Sequence, residues 1–198
     1  MASERRFGSE DSEARERFLN AAEELLRTQG HSAVTVRRVA EMAGLKRQLV
    51  HYYFRSMEDL LLEVLRRAYD RHFARLAEAL NAPNPVRSLW NAVFLREAIL
   101  LEIYTLPLAN EFDSVRTSIA EFMTRSRRLQ VEALRPLLAA RGERAAGLSA
   151  EAVAVFIRGI AREIAVETNL GVTEGHAEAL AALETCLQRF DPGPASND

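Results

Sequence analysis

From Ala14 to Phe190 apolar residues return every three or four positions, and no stretch reads as a strand's strict alternation. Only a helix gathers residues of that spacing on one face. Each apolar stripe therefore predicts an amphipathic helix that needs neighbours to cover it. Composition agrees, since Ala, Leu, Glu and Arg fill 104 of the 198 positions against 27 for Val, Ile and Thr. Ala and straight-chain residues lose little rotamer freedom in a helix. Only 9 Gly and 6 Pro remain for the turns a sheet protein would need, and 48% hydrophobic residues exclude general disorder. The expected fold is all-α.

Breakers divide the stripes. Ala14, Phe18, Ala21, Ala22, Leu25 and Leu26 predict a first helix capped by Ser9 or Ser12 and closed by Gly30. Thr35 caps a short stripe of Val36, Val39, Ala40 and Ala43, Gly44 interrupts it, and a third short helix runs from about Lys46 to Tyr52. Ser56 and Asp59 have capping-box spacing at the head of a stripe that carries one connector helix for about 25 residues, to Leu80. Asn84 before Pro85 caps a helix passing Leu89, Val93 and Leu101, and Pro107 marks a restart with a corner at 110–113. A long stripe then begins near Ser114, and Pro136 is expected to kink or break it. Ser149 and Thr173 cap the last two helices, separated by a stop at Gly171. The count is eight or nine helices.

Several chemistries are excluded. Cys186 is the single cysteine, so no disulfide framework or multi-cysteine metal site is expected. The four histidines are scattered, without an HExxH pair, and there is no Gly-rich phosphate loop. Glu97 and Glu102 are five apart and leave a common helix face, so they are not an acid–base pair. No catalytic residue, metal or cofactor is expected, and the chain does not read as an enzyme. The segment 1–11 is charged and no apolar run reaches 18 residues, which predicts a cytoplasmic protein that does not meet a membrane.

Val36, Ala40, Gly44 and Val50 fall at positions 1, 5, 9 and 15 of a twenty-residue helix-turn-helix. A small residue at Ala40 lets the second helix cross closely, Gly44 turns the chain, and Val50 anchors the second helix inward. Between Arg37 and Arg55 stand Arg37, Arg38, Lys46, Arg47 and Arg55 against Glu41, a local balance of +4 in a chain of net charge -2. The second helix offers Lys46, Arg47, Gln48, His51 and Tyr52. A helix fits the major groove, where Arg and Gln can contact guanine and adenine in bidentate fashion, while Tyr and His hold the backbone. The expected partner is double-stranded DNA.

Residues 15–62 resemble the DNA-binding domain of the TetR family of transcriptional regulators. The likeness rests on Arg17-Phe-Leu-Asn-Ala-Ala22, Leu25-Leu-Arg-Thr-Gln-Gly30, Thr35-Val-Arg-Arg-Val-Ala40, Ala43-Gly-Leu45, His51-Tyr-Tyr-Phe54 and Glu58-Asp-Leu60. It implies that Thr35 and Tyr52 touch phosphates, that Lys46, Arg47, Gln48 and His51 lie on or beside the bases, and that Phe54 packs inside. His51 stands where the family commonly has tyrosine, and Gln48 where it has a small residue. Met57 stands where the family commonly has a phosphate-binding lysine, so that anchor is either missing or supplied by Arg55; Arg37 is a further expected DNA-binding residue. The implied division is a reading head over 10–56, a helical ligand-binding and dimerisation domain over 57–190, and a disordered tail over 191–198.

The remaining helices are more than a head requires. A two-fold dimer doubles the contacts one recognition helix can make to a palindromic operator. The last two helices suit that homodimer, with Gly159, Ala161 and Ala165 allowing close approach and Ala177, Leu180, Ala181 and Leu187 opposite. A pocket for a small apolar or amphipathic effector would be walled by Trp90, Phe94, Phe112, Phe122 and Phe156, with Glu97, Asn110, Arg125 and Arg162 as polar contacts. The favoured function is a ligand-responsive repressor. The alternatives are a DNA-binding regulator without a small-molecule ligand and a helical protein-interaction module.

Overall fold

Ten α-helices and one 3-10 turn make up the fold of the computed structural model, with no strand among the described residues. These are residues 13–83, 85–94, 96–139, 147 and 149–190; the side chains of 85, 86, 96–98, 189 and 190 lie outside them. Outside them too fall the expected caps Ser9, Ser12 and Asn84 and the expected disordered tail over 191–198. In chain order the helices are α1 (Glu13–Gln29), α2 (Val36–Ala43), α3 (Arg47–Tyr53), α4 (Met57–Leu80), α5 (Pro85–Val93), α6 (Arg96–Thr105), α7 (Leu108–Glu111), α8 (Asp113–Ala139), α9 (Ala150–Leu170) and α10 (His176–Phe190).

The chain divides into two compact units, Met1–Tyr69 with Leu101–Ala120, and Asp70–Leu100 with Glu121–Asp198. The first holds α1, α2 and α3 around Phe18, Leu25, Leu26, Val39, Val50 and Phe54, all but fully buried. Phe18 meets Phe54 edge to face, with ring centroids 6.4 Å apart. Arg15 lies over the same Phe54 ring, 5.4 Å from its centroid, and pairs with Glu63 at 3.2 Å. A buried guanidinium is tolerated here because a carboxylate and an aromatic face replace its water.

Local chemistry explains the head's boundaries. Thr35 accepts a hydrogen bond from the Arg38 N–H through its side chain and so starts α2. Gly44 ends α2 with φ of +65°, a left-handed conformation that costs a residue with a Cβ about 1–2 kcal/mol. Its N–H and that of Leu45 close back on the last carbonyls of α2, those of Glu41 and Ala40. At α4, Ser56 accepts from the Asp59 N–H at 3.0 Å, while the Asp59 carboxylate accepts from the Arg55 N–H at 3.1 Å. The reciprocal cap thus forms one residue wider than a standard box.

The second unit packs α4, α5, α8 and α9 through Leu76, Leu89, Val131, Leu134, Leu138 and Ala154. Four boundaries differ from the sequence expectation. The helix expected to run from Pro85 through Leu101 is two helices, α5 and α6. Phe94, just past the end of α5, stacks its ring on Trp90 one turn back at 4.9 Å, and no Gly or Pro marks the break. Pro136 neither ends α8 nor shortens it, for the helix continues to Ala139. The proline forfeits one bond, the one its N–H would give to the Glu132 carbonyl four residues back, and the helix continues past it. α10 begins at His176 rather than directly after Thr173, because Gly175 adopts φ of +79°. Finally, Leu108–Glu111 closes one helical turn where a corner was expected. Among the described residues these divisions give ten helices, against the expected eight or nine.

Candidate functional site

α3 presents its polar face outward. Arg47, Gln48, His51 and Tyr52 are exposed along the helix, Lys46 is exposed at its start, and Val50 alone is buried beneath. Arg55 is exposed just beyond its end. Tyr52 is braced by Tyr53, whose ring meets it edge to face at 5.0 Å, and Tyr53 in turn packs on Phe18 at 6.1 Å. The aromatic run therefore has two uses: Phe54 and Tyr53 hold the helix to the core, and Tyr52 stands free of it.

Thr35 and Arg37 are exposed at the start of α2. The Thr35 hydroxyl oxygen accepts from Arg38 N–H, which leaves the hydroxyl proton available to a phosphate oxygen. Arg37 pairs with Glu41 at 3.1 Å, both groups largely in water, a contact that stabilises little and yields readily to a stronger anion. Arg38 is tied instead to Gln29 of α1. The exposed cations Arg37, Lys46, Arg47 and Arg55 thus lie at the two ends and along one side of a bihelical unit whose turn is set by Gly44. Helices of this size admit to a major groove.

The residues expected to hold an effector are distributed between the two units. Asn110 and Phe112 belong to the first, exposed and half-buried respectively. Trp90, Phe94, Phe122, Arg125, Phe156 and Arg162 belong to the second. Trp90 and Phe94 form one stacked pair. Phe122 belongs to a separate cluster, 5.0 Å from the His72 ring and 5.6 Å from Phe73. Arg162 is half-buried on α9, whereas Phe156 is 56% exposed on that helix. The Glu97 side chain lies outside the described residues.

Of the residues expected at a dimer interface, Gly159, Ala177 and Ala181 are exposed and Leu180 is half-buried. Ala161, Ala165 and Leu187 are covered within the chain itself. Val155 and Phe156 are exposed beside Gly159 on α9, at 43% and 56%.

Residues 18–64 match the bacterial regulatory proteins of the tetR family. That match runs from α1 through α3 into the start of α4. Over 68 residues the chain is 43% identical to an HTH-type transcriptional regulator in the dhlA 5' region of Xanthobacter autotrophicus, a match covering 34% of this chain. It spans about a third of that relative's length, 32%. Solved structures share the fold over most of the chain. A TetR-family transcriptional regulator from Rhodococcus sp. superposes with a TM-score of 0.70 at 20% identity, covering 89% of this chain and all of that one. A regulator from Saccharomonospora viridis in complex with choline gives 0.65 at 21% identity, over 80% of this chain and 86% of its own.

Beyond the matched segment, the second unit holds a polar group that periodicity did not single out. His72 Nε2 lies 2.8 Å from Ser126 Oγ, and Gln130 Nε2 donates to that oxygen at 3.0 Å. All three are buried. One arrangement satisfies every partner: Gln130 donates to Ser126, and the Ser126 hydroxyl donates to the His72 ring. Burial first, then the Arg75 and Arg158 guanidiniums, hold the His72 pKa down to about 4. The ring is neutral near pH 7. The available sequence signal was polar residues four apart, Ser126 and Gln130, at inward positions of an apolar stripe. Groups of His, Cys, Asp or Glu able to hold a metal are absent among the described residues. No helix there is long and apolar enough to cross a membrane.

Proposed function

We propose that this chain is a cytoplasmic transcriptional regulator, a repressor that binds a palindromic operator as a homodimer and is released by a small apolar or amphipathic molecule. The observation that carries the reading is the exposed face of α3, with Lys46, Arg47, Gln48, His51 and Tyr52 all turned to solvent from a helix anchored by Val50 and Phe54. In this reading residues 10–56 contact DNA and residues 57–190 serve effector binding and dimerisation. Arg47 and Gln48 face base edges, and Thr35, Tyr52, Arg37 and Arg55 face phosphates.

An effector is supported by relatives of the same fold whose structures contain small molecules, choline in one and imidazole in the multidrug binding protein EbrR. A dimer is supported by the open surface at Val155, Phe156 and Gly159 on α9 and at Ala177 and Ala181 on α10. Apolar side chains exposed beside small residues suit a two-fold helix pairing.

The test is fluorescence anisotropy of labelled duplexes at two salt concentrations, comparing wild type with Arg47→Ala. If Arg47 reads a base, the variant loses about 1–3 kcal/mol on the specific duplex and little on a random one. If it holds a phosphate, both duplexes weaken alike with a shallower salt slope. Unchanged affinity for both would remove α3 from the DNA contact.

A further inference from the structure

α2 is held to α1 at both of its ends. Near the start, the Arg38 guanidinium donates to the side-chain carbonyl of Gln29, the last residue of α1. At the far end, Arg17 of α1 donates through Nη2 to the backbone carbonyl of Ala43, the last residue of α2. Arg17 and Ala43 are 26 apart in sequence.

The last four carbonyls of a helix have no partner inside it. In α2 the Ala40 and Glu41 carbonyls accept from the N–H groups of Leu45 and Gly44, and Arg17 takes that of Ala43. A cation also suits the negative end of the helix dipole. The guanidinium then lies against the turn itself, because a Cβ built on Gly44 would meet Arg17 Nη2 at 3.0 Å. A side chain at Gly44 would crowd Arg17 as well as strain at φ of +65°.

The consequence falls on the start of α3. The end of that helix is packed into the head by Tyr53 and Phe54, and its middle by Val50. Its start has no side-chain cap, and Lys46, Arg47 and Gln48 are exposed there, with the half-buried Leu45 and Leu49 beside them. The direction in which those three side chains leave the head is set by the turn over 44–46, and so by where α2 ends.

We infer that Arg17, outside the α2–α3 unit, is a positioning residue for sequence reading: by holding the end of α2 it aims the start of α3. This rests on the proposed DNA contact of α3 and adds a residue on which its specificity depends. A phosphate contact by Arg17 would be a different role. Salt separates the two, since a phosphate contact releases a counterion and a brace within the protein does not.

The experiment follows anisotropy of two labelled duplexes with the full chain across a salt series. One duplex is enriched by wild type from a random library, and the other is a random duplex of the same length. Arg17→Met keeps the stem and removes donor and charge, whereas Arg17→Lys keeps a donor and the charge. Arg17→Met is expected to lose about tenfold on the enriched duplex, the size of one charge-assisted hydrogen bond, and less than about twofold on the random one. Its salt slope should equal that of wild type, and Arg17→Lys should bind within about threefold of wild type. Circular dichroism should show both variants as helical as wild type, since Arg17 is exposed. Equal weakening on both duplexes with a slope shallower by about one makes Arg17 a phosphate contact and overturns the inference. Wild-type affinity for both duplexes overturns it too, as does a loss of helicity in Arg17→Met, which would make Arg17 a folding residue. Failure of wild type to enrich any duplex overturns the operator reading and this inference together.

Discussion

Ser114, in the first turn of α8, donates its hydroxyl to the carboxylate of Glu58 in the first turn of α4. The two residues are 56 apart in sequence and lie in the same compact unit. The start of the connector helix α4 is therefore joined to the segment 101–120. The same segment acts on α4 at Tyr69, whose phenol is pushed up from its usual range, chiefly by burial and then by the Glu102 carboxylate, against the opposing Ser118 hydrogen bond.

Ser114→Ala removes the donor and leaves the Glu58 carboxylate half-buried without it. A hydrogen bond to a charged group contributes about 1.5–3 kcal/mol, and partial exposure places this one near the lower end. Urea unfolding should show a loss of about 1.5 kcal/mol with an unchanged m-value. No loss of stability would mean that the contact does not join the two helix starts.

Acidification acts on His72 in a definite direction. Its folded pKa of about 4 lies below the ordinary 6.5, so the unfolded chain takes up this proton first as pH falls. The ring's contribution is present in full above pH 6.5 and declines between 6.5 and about 4, by up to about 3 kcal/mol. Glu63 works on a lower window. Burial raises its pKa, but hydrogen bonds and charges from Arg66 and Arg15 outweigh that and leave it below the ordinary 4.5, so its stabilisation is lost as pH falls beneath that value. Denaturation at pH 7 and pH 5 should separate the two: His72→Gln flattens the difference, and Glu63→Gln does not. An NMR titration in which the His72 ring protonates near pH 6.5 would contradict the assignment.

Gly159→Arg probes the partner surface without disturbing the chain's own packing. A Cβ built at Gly159 meets nothing within 4 Å, so the variant should fold as the wild type does. A long cation at a close helix pairing should separate the protomers. Sedimentation of wild type should give about twice the 22.2 kDa chain mass, with the variant shifted toward the single chain. A wild-type monomer at micromolar concentration would remove the two-fold arrangement.

What could be read in advance was what depends on neighbours in sequence. Thr35 caps because its oxygen reaches an N–H three residues on, and Gly44 turns because its own φ permits it. Phe54 is buried as the aromatic pattern implied. The division between α5 and α6 was not legible, because no Gly or Pro stands between Val93 and Arg96. The His72–Ser126 pair joins residues 54 apart and looks in sequence like an incidental histidine and serine. Exposure of Phe156 was equally hidden, since an apolar stripe on α9 cannot tell which of its faces the same chain covers.

Selection from a random duplex library by the purified full chain, followed by sequencing, asks whether the α3 face reads DNA as one half of a two-fold dimer. The expected product is an inverted repeat with half-site centres about 34 Å apart, or a multiple of that, bound with strong salt dependence. Arg47→Ala should fail to enrich the same half-site. Recovery of no symmetric sequence, together with duplex affinity that salt does not change, would contradict the assignment of Lys46, Arg47, Gln48, His51 and Tyr52 to an operator.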